Sequence, residues 1–371
     1  MIDERLPGEG LPEGFLELPE EVYRDDERWI PEDVAAVERA FSPENPWFSQ
    51  GAAVLLSVPG EVRLALFNQP DLRVDGRRVA FFGYWESTGL QGADAPLFAR
   101  AAAIASERWG AEDLYGPINF TTFGNYRLRL TCESGGLTFP DEPYNPAAYP
   151  RLLEEAGFTP DQLYLTQVGN IEAGRMVREW KRPKLEDLLG QGYKLETLTH
   201  SMWMDSLVEM HPQIDHIFGA NFAYSPISFA AFTQKCGEGY IRRACPETSV
   251  MLRGPAGDLA GFFLVYPHYG PLVAQAAGEG RVAAADLSYD VHYEALSAGS
   301  WTGCVAKTVG VMPAHRGKGV MSALTVGIFD RGDGRYEHWY GAMIRKGNLS
   351  RKFAEGNTVG ERWYGLYRKR L

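Results

Sequence analysis

Val309-Gly310-Val311-Met312-Pro313-Ala314-His315-Arg316-Gly317-Lys318-Gly319-Val320-Met321-Ser322-Ala323-Leu324 reads as a strand, a turn and a helix. Residues 305–311 are β-branched and mostly apolar, and Pro313, which cannot donate to a ladder, ends the run. Two glycines and two cations follow in Arg316-Gly317-Lys318-Gly319. Val320, Leu324 and Ile328 then fall four apart, on one face of a helix. A glycine-rich turn feeding a helix start leaves several backbone N–H groups with no intrahelical partner, and the helix dipole adds positive charge there. The stretch therefore predicts a phosphate site, strengthened by Arg316 and Lys318.

Spacing narrows the phosphate ligand. A P-loop needs G-x-x-x-x-G-K-[ST], which is absent. A dinucleotide fingerprint needs G-x-G-x-x-G, but Ser322 stands where its third glycine belongs. Val311, Pro313, Arg316, Gly317 and Gly319 do match V-x-P-x-x-R-G-x-G-x-G/A. In this the chain resembles the acyl-CoA loop of the GNAT N-acetyltransferase superfamily. Met321 departs from the pattern, a bulky residue where the family has a small one.

A chain of 371 residues predicts about two domains, and 45% hydrophobic content is ample for their cores. Cys132, Cys236, Cys245 and Cys304 show no metal spacing and are expected to be reduced. The N-terminus is acidic with no apolar leader core, and no run approaches a membrane span, so a cytoplasmic protein without membrane partners is expected. Net charge is −11. From residue 301 onward, 13 Lys/Arg stand against 5 Asp/Glu, giving +8 and leaving −19 for the first 300. An acidic body argues against DNA, whereas a basic terminal segment suits a polyanionic cofactor.

Along the chain, short helices are expected over 21–28 and 31–41, and strands over 52–58, 62–68 and 78–85. An alanine-rich helix over 94–110 ends in a glycine stop. A strand over 114–117, a helix over 146–156 and an edge strand over 158–168 follow. A charged connector helix over 170–190 leads to a second run of the same order. That run has a strand over 193–197, helices over 201–218 (with Pro212 inside, predicting a kink) and 225–236, and a hairpin over 249–266. The glycine loop comes next, then a strand over 335–344, a helix over 348–355 and a strand over 362–368. The fold class is α/β (α+β). Two tandem GNAT-like domains are expected, 1–169 and 191–371, each a twisted mixed sheet flanked by helices, joined by 170–190. The first copy is expected to be silent. After Trp85 its loop carries two glycines but no cation, and Glu86 and Asp94 would repel a pyrophosphate.

The resemblance implies an N-acyltransferase taking acetyl-CoA or another acyl-CoA as co-substrate and a small-molecule amine as acceptor. It places Val309, Gly310 and Val311 along the pantetheine, and Arg316, Gly317, Lys318, Gly319, Val320 and Met321 around the pyrophosphate. Asn348 and Lys352 fall where the cofactor is approached again, with Lys346 beside them, though Asn348 also reads as a helix cap. Catalytic groups are less defined. Lys307 stands where many relatives have a glutamate, and Glu355 where the acid tyrosine usually sits. Glu337 is the candidate base, and Tyr340 and Tyr364 are candidate acids. The segment 270–299 exceeds the usual turn and reads as an acceptor-side lid bringing His292, Asp290 and Glu294. Two alternatives share the fold: an aminoacyl-tRNA-dependent transferase, which the acidic body disfavours, and a non-catalytic acyl-CoA sensor.

Overall fold

The computed structural model describes residues 1–90, 92–131, 136–219, 221–299, 302–354 and 356–371. Its strands are β1 (Asp3–Arg5), β2 (Ala52–Val58), β3 (Val62–Val74), β4 (Arg77–Ser87), β5 (Asp113–Gly116), β6 (Leu128–Arg129) and β7 (Thr159–Asn170). After the helix Ile171–Gly190 come β8 (Lys194–Thr197), β9 (Val250–Arg253), β10 (Leu259–Pro267), β11 (Gly303–Val311), β12 (His338–Arg345) and β13 (Gly360–Arg370). All belong to one 13-stranded sheet in the order β1-β2-β3-β4-β5-β13-β7-β12-β11-β10-β9-β8, with β6 on β13. β10 is buried at every residue, which is why its sequence runs apolar without alternation.

Each half of the chain opens with an antiparallel run, β1 to β4 and β8 to β11. Each run then adds a parallel neighbour, β5 beside β4 and β12 beside β11. A parallel pair needs a crossover, supplied by the helices Asp94–Trp109 and Val320–Gly332. The last strands are exchanged. β7 ends the first half yet pairs with β12 of the second, and β13 ends the second yet pairs with β5 of the first. β7 and β13 also pair with each other, from Gly360↔Val168 to Arg368↔Thr159. The edge strand expected at 158–168 is thus internal, and the two mixed sheets run together.

Local chemistry accounts for the smaller differences. The first helix is Leu18–Val22 rather than 21–28, because Pro19 is accepted in a first turn and fixes the start earlier. Pro212 does not split its helix, which runs unbroken over His200–Phe218. The segment after Asn348 is a 3₁₀ turn, Leu349–Phe353. The 270–299 segment, expected as an acceptor-side lid, lies against the N-terminal arm. Gln275 and Ala276 donate to the carbonyls of Trp29 (2.8 Å) and Glu27 (2.9 Å), which clips it to the N-terminal arm. Among the described residues no helix is long and apolar enough to cross a membrane.

Candidate active site

β11 runs into the turn Pro313–His315, then Arg316 to Gly319, then the helix Val320–Gly332. Gly317 (φ +76°) and Gly319 (φ +95°) take left-handed backbone that a side chain would strain. The amides of Gly317, Lys318, Gly319, Val320, Met321 and Ser322 have no hydrogen-bond acceptor among the described residues. That is the donor array an anion needs at a helix start. Arg316 and Lys318 are exposed beside it, with Arg316 Nη2 donating to the His216 carbonyl at 2.6 Å. The departure at Met321 is accommodated because its side chain packs on the hydrophobic core behind the loop.

Two features of this loop escaped the sequence reading. His315 is buried, its Nδ1 meeting the Tyr193 hydroxyl at 2.9 Å and its Nε2 meeting Asp258 Oδ2 at 2.8 Å. It pins the loop to the β9–β10 hairpin, and its hydrogen bond holds the Asp258 carboxyl below the usual range. The signal was a histidine inside the motif with no assigned role. Lys184, on the helix Ile171–Gly190, lays its stem along Gly319, with Cδ 3.4 Å from where a Cβ would stand. It adds a third exposed cation to the cradle.

Val309, Gly310 and Val311 pair with β10 on one side. On the other side β11 and β12 stay paired only from Gly303↔His338 to Ala306↔Gly341 and then part. A bulge opposite Leu264 carries Lys307 and Thr308, the latter at φ +68°. The parting leaves a wedge leading from the glycine loop to the bulge. Asn348 and Lys352 are exposed at the turn after β12. Asn348 caps that turn by accepting from the Ser350 amide at 2.9 Å, as its cap reading requires. The Lys352 carbonyl, rather than its ammonium, is engaged by buried Lys181 at 2.9 Å. Lys346 lies over the Trp363 ring.

At the bulge sits a pocket lined by Phe139, Asp141, Tyr240, Arg243, Tyr266 and Lys307, with a free volume of about 20 Å³. Such a space holds about one water. Tyr240 Oη meets Thr308 Oγ1 at 2.5 Å, and burial pushes the tyrosine up to about 12. Asp141, on a loop of the first half, reaches Lys307 Nζ and Arg243 Nη1, each at 3.4 Å. Burial would raise this carboxyl, but the two cations reverse that and hold it at about 2. Burial also lowers Lys307, against the Asp141 charge that raises it. Lys307 is therefore a paired, partly buried lysine and not a solvent-facing one.

Of the other proposed catalytic groups, Glu337, His292 and Tyr364 are not brought to this wedge, whereas Tyr340 is placed beside it. Glu337 is exposed ahead of β12, where its amide donates to Thr302. That is the opposite end of β11 from the loop, roughly 25 Å away along the strand. His292 folds back on Ser288 (3.1 Å) within the helix Tyr289–Ser297, on which Asp290 and Glu294 are exposed. Arg335 Nη1 donates to Tyr289 Oη at 3.2 Å, placing this helix at the same far end. Tyr364 is wholly buried between the halves, its hydroxyl donating to Glu142 Oε1 at 2.5 Å. Tyr340 lies one strand from the pocket, paired with Val305 but covered by Phe139 and the Arg362 guanidinium. Glu355 lies outside the described residues.

The corresponding wedge of the first half is filled by its own chain. β4 and β5 pair from Val79↔Asp113 to Phe81↔Tyr115 and then part, and residues 117–120 turn back into the gap. The Ile118 amide donates to the Phe82 carbonyl at 2.7 Å, and Asn119 Oδ1 accepts from the Tyr84 amide at 2.9 Å. Gly83 is needed for this approach, since a Cβ there would lie 2.5 Å from the Ile118 carbonyl. Beyond it, Asp94 is occupied by the Ser87 hydroxyl (2.7 Å) and the Trp85 indole (3.0 Å).

Glu86, beside this plug, accepts from the Tyr23 (2.9 Å) and Tyr149 (2.7 Å) hydroxyls. Burial raises it from 4.5 to about 7 against the opposing pull of Arg63. Between those values the folded chain keeps a proton that the unfolded chain has lost, so stability falls as pH rises from about 4.5 to about 7. Glu86→Gln, which stays neutral, should therefore raise the melting temperature relative to the parent more at pH 8 than at pH 5. Equal differences at both pH values would show an ordinary carboxyl.

No family model and no curated sequence matches the chain. Solved structures do. A GCN5-related glucosamine N-acetyltransferase region of a fungal multi-domain GH3 β-N-acetylglucosaminidase is similar, with a TM-score of 0.52 at 13% identity, over 99% of this chain and 38% of that one. This chain thus spans well under half the length of the fungal protein. A probable N-acyltransferase from Enterococcus faecalis has a TM-score of 0.52 at 9% identity, over 100% of this chain and 73% of that one. A GCN5-related N-acetyltransferase from Anabaena variabilis has a TM-score of 0.50 at 10% identity, over 99% and 72%. At such identities what is shared is the fold.

Proposed function

We propose that this chain, which has the fold of the GCN5-related N-acetyltransferases, is an acyl-CoA-dependent N-acyltransferase with one cofactor site, in its second half. The observation that carries this reading is the row of six unsatisfied amides from Gly317 to Ser322, ringed by Arg316, Lys318 and Lys184, at the mouth of the β11–β12 wedge. The loop binds the pyrophosphate, and the pantetheine runs along Val309 to Val311 toward the bulge. The transferred group is acetyl or another acyl group. Residues 1–169 form the degenerate unit, 170–190 the connector and 191–371 the cofactor unit, with β7 and β13 exchanged.

When bound, acyl-CoA supplies a thioester, whose carbonyl carbon the neutral amine of the acceptor attacks. The new C–N bond forms, the C–S bond breaks, and the amine proton is given up as the thiolate takes one. A polar backbone at the strained bulge suits an oxygen that gains charge in this step. Among the described residues Tyr240, raised by burial and bonded to Thr308, is a protonated hydroxyl beside the bulge that can serve the leaving sulfur. Native mass spectrometry with acetyl-CoA tests the reading. One equivalent per chain is expected. Two would show that the Asn119 plug yields, and none would overturn the proposal.

A further inference from the structure

The pocket at the bulge is rich in donors. Lys307 brings three N–H donors and Arg243 five, and neither can accept. The Tyr266 hydroxyl is buried with the Tyr240 hydroxyl as its hydrogen-bond neighbour, and the Arg243 Nε has no hydrogen-bond partner among the described residues. Among the described residues the charged acceptor paired with them is Asp141, so two cations stand against one carboxylate. Its hold is loose. Both contacts are 3.4 Å, against about 2.8 Å for a close charge-assisted bond. Asp141 also sits at φ +65°, in the left-handed region that a non-glycine residue seldom adopts. Its side chain is 41% exposed, and these two contacts are the ion pairs that hold it.

We infer that the acceptor amine carries a carboxylate, and that Lys307 and Arg243 hold this carboxylate in the position Asp141 now takes. The inference rests on the acyl-transfer reading above and deepens it. Asp141 is a carboxylate of the chain itself, swung in from the other half, and it marks where the substrate's own carboxylate belongs. Displacing it frees the volume that the pocket otherwise lacks. The ring wall of Phe139, Tyr240 and Tyr266 then lies along the rest of the acceptor, whose amine points to the bulge. A purely cationic amine, which the acidic body of the chain suggests, meets two like charges here.

The test is calorimetric titration of the full chain, with and without saturating CoA, using three matched pairs: alanine and ethylamine, phenylalanine and phenethylamine, lysine and cadaverine. At least one amino acid should bind tenfold or more tightly than its amine. Lys307→Met should weaken that binding at least tenfold. Asp141→Asn should tighten it several-fold, since it removes the competing carboxylate, whereas a merely structural Asp141 would give the opposite sign. Equal binding within every pair, or weaker binding by Asp141→Asn, overturns the inference. The Asp141 variant changes a part-exposed side chain, so it decides even if Lys307→Met does not fold. Failure of the cofactor reading shows separately, as no binding of CoA in the saturation step.

Discussion

The double variant Arg316→Glu, Lys318→Glu should lose acetyl-CoA affinity by about 10²- to 10⁴-fold. A hydrogen bond between ionised groups contributes about 1.5–3 kcal/mol net, and two such contacts to the pyrophosphate are removed here. About 1.4 kcal/mol is tenfold in affinity, so their loss alone gives that range before any repulsion is added. Folding should be untouched. Both side chains are exposed, and the bond from Arg316 to the His216 carbonyl lies at the surface. The melting temperature without ligand is the control, and calorimetric titration with acetyl-CoA is the measurement. A loss below tenfold with an unchanged melt would mean that the phosphates are held elsewhere and that the free amides from Gly317 to Ser322 serve no anion. Raising the salt should weaken the parent and spare the variant, because the phosphate contacts that screening attenuates are already gone.

What the sequence disclosed follows from how local each signal is. The glycine loop was legible because its strand, turn, cations and helix are consecutive residues, each constrained by backbone geometry alone. The helix Asp94–Trp109 and its left-handed cap at Gly110 were legible for the same reason. The exchange of β7 and β13 was not. Alternation along a strand tells which residues face the core, but it does not name the partner, and an internal strand reads like an edge one. The pocket was hidden too. Asp141 meets Arg243 and Lys307 across 102 and 166 positions, and only the assembled sheet brings them together. Glu337 is not brought to the wedge for a related reason: it immediately precedes the neighbouring strand, at the far end of a parallel pair, which spacing alone does not show. The plug at Asn119 is a further case. Glu86 and Asp94 argued for a silent first copy by charge, whereas the wedge is closed by a side chain 35 positions beyond Tyr84.

Glu142→Ala should destabilise the whole chain by about 3–5 kcal/mol, the cost typical of removing one partner of a buried ion pair. The Glu142 side chain is fully buried. Its two oxygens accept from Arg362 Nη1 at 3.0 and 2.7 Å, from the Tyr364 hydroxyl at 2.5 Å and from the Phe139 amide at 3.2 Å. Arg362 and Tyr364 both lie on β13, whereas Glu142 lies on a loop of the first half. The carboxylate therefore ties the exchanged strand to the half it has entered. Removing it strips a buried guanidinium of this counter-charge and a buried phenol of its acceptor. A drop in melting temperature of about four to six degrees is expected for a chain of this size. Glu142→Gln keeps an acceptor and loses the charge, so it should fall between. Glu142→Leu combined with Arg362→Leu should recover part of the loss, because the Arg362 charge is removed with its partner, while buried Arg129, whose Nη1 lies 4.0 Å from Glu142 Oε1, keeps the recovery incomplete. Calorimetry also decides what the exchange does. Since β7 pairs with strands of the second half and β13 with strands of the first, the destabilised chain should still melt in one transition. Two resolved transitions in Glu142→Ala would mean that the halves fold independently and that the shared strands do not couple them.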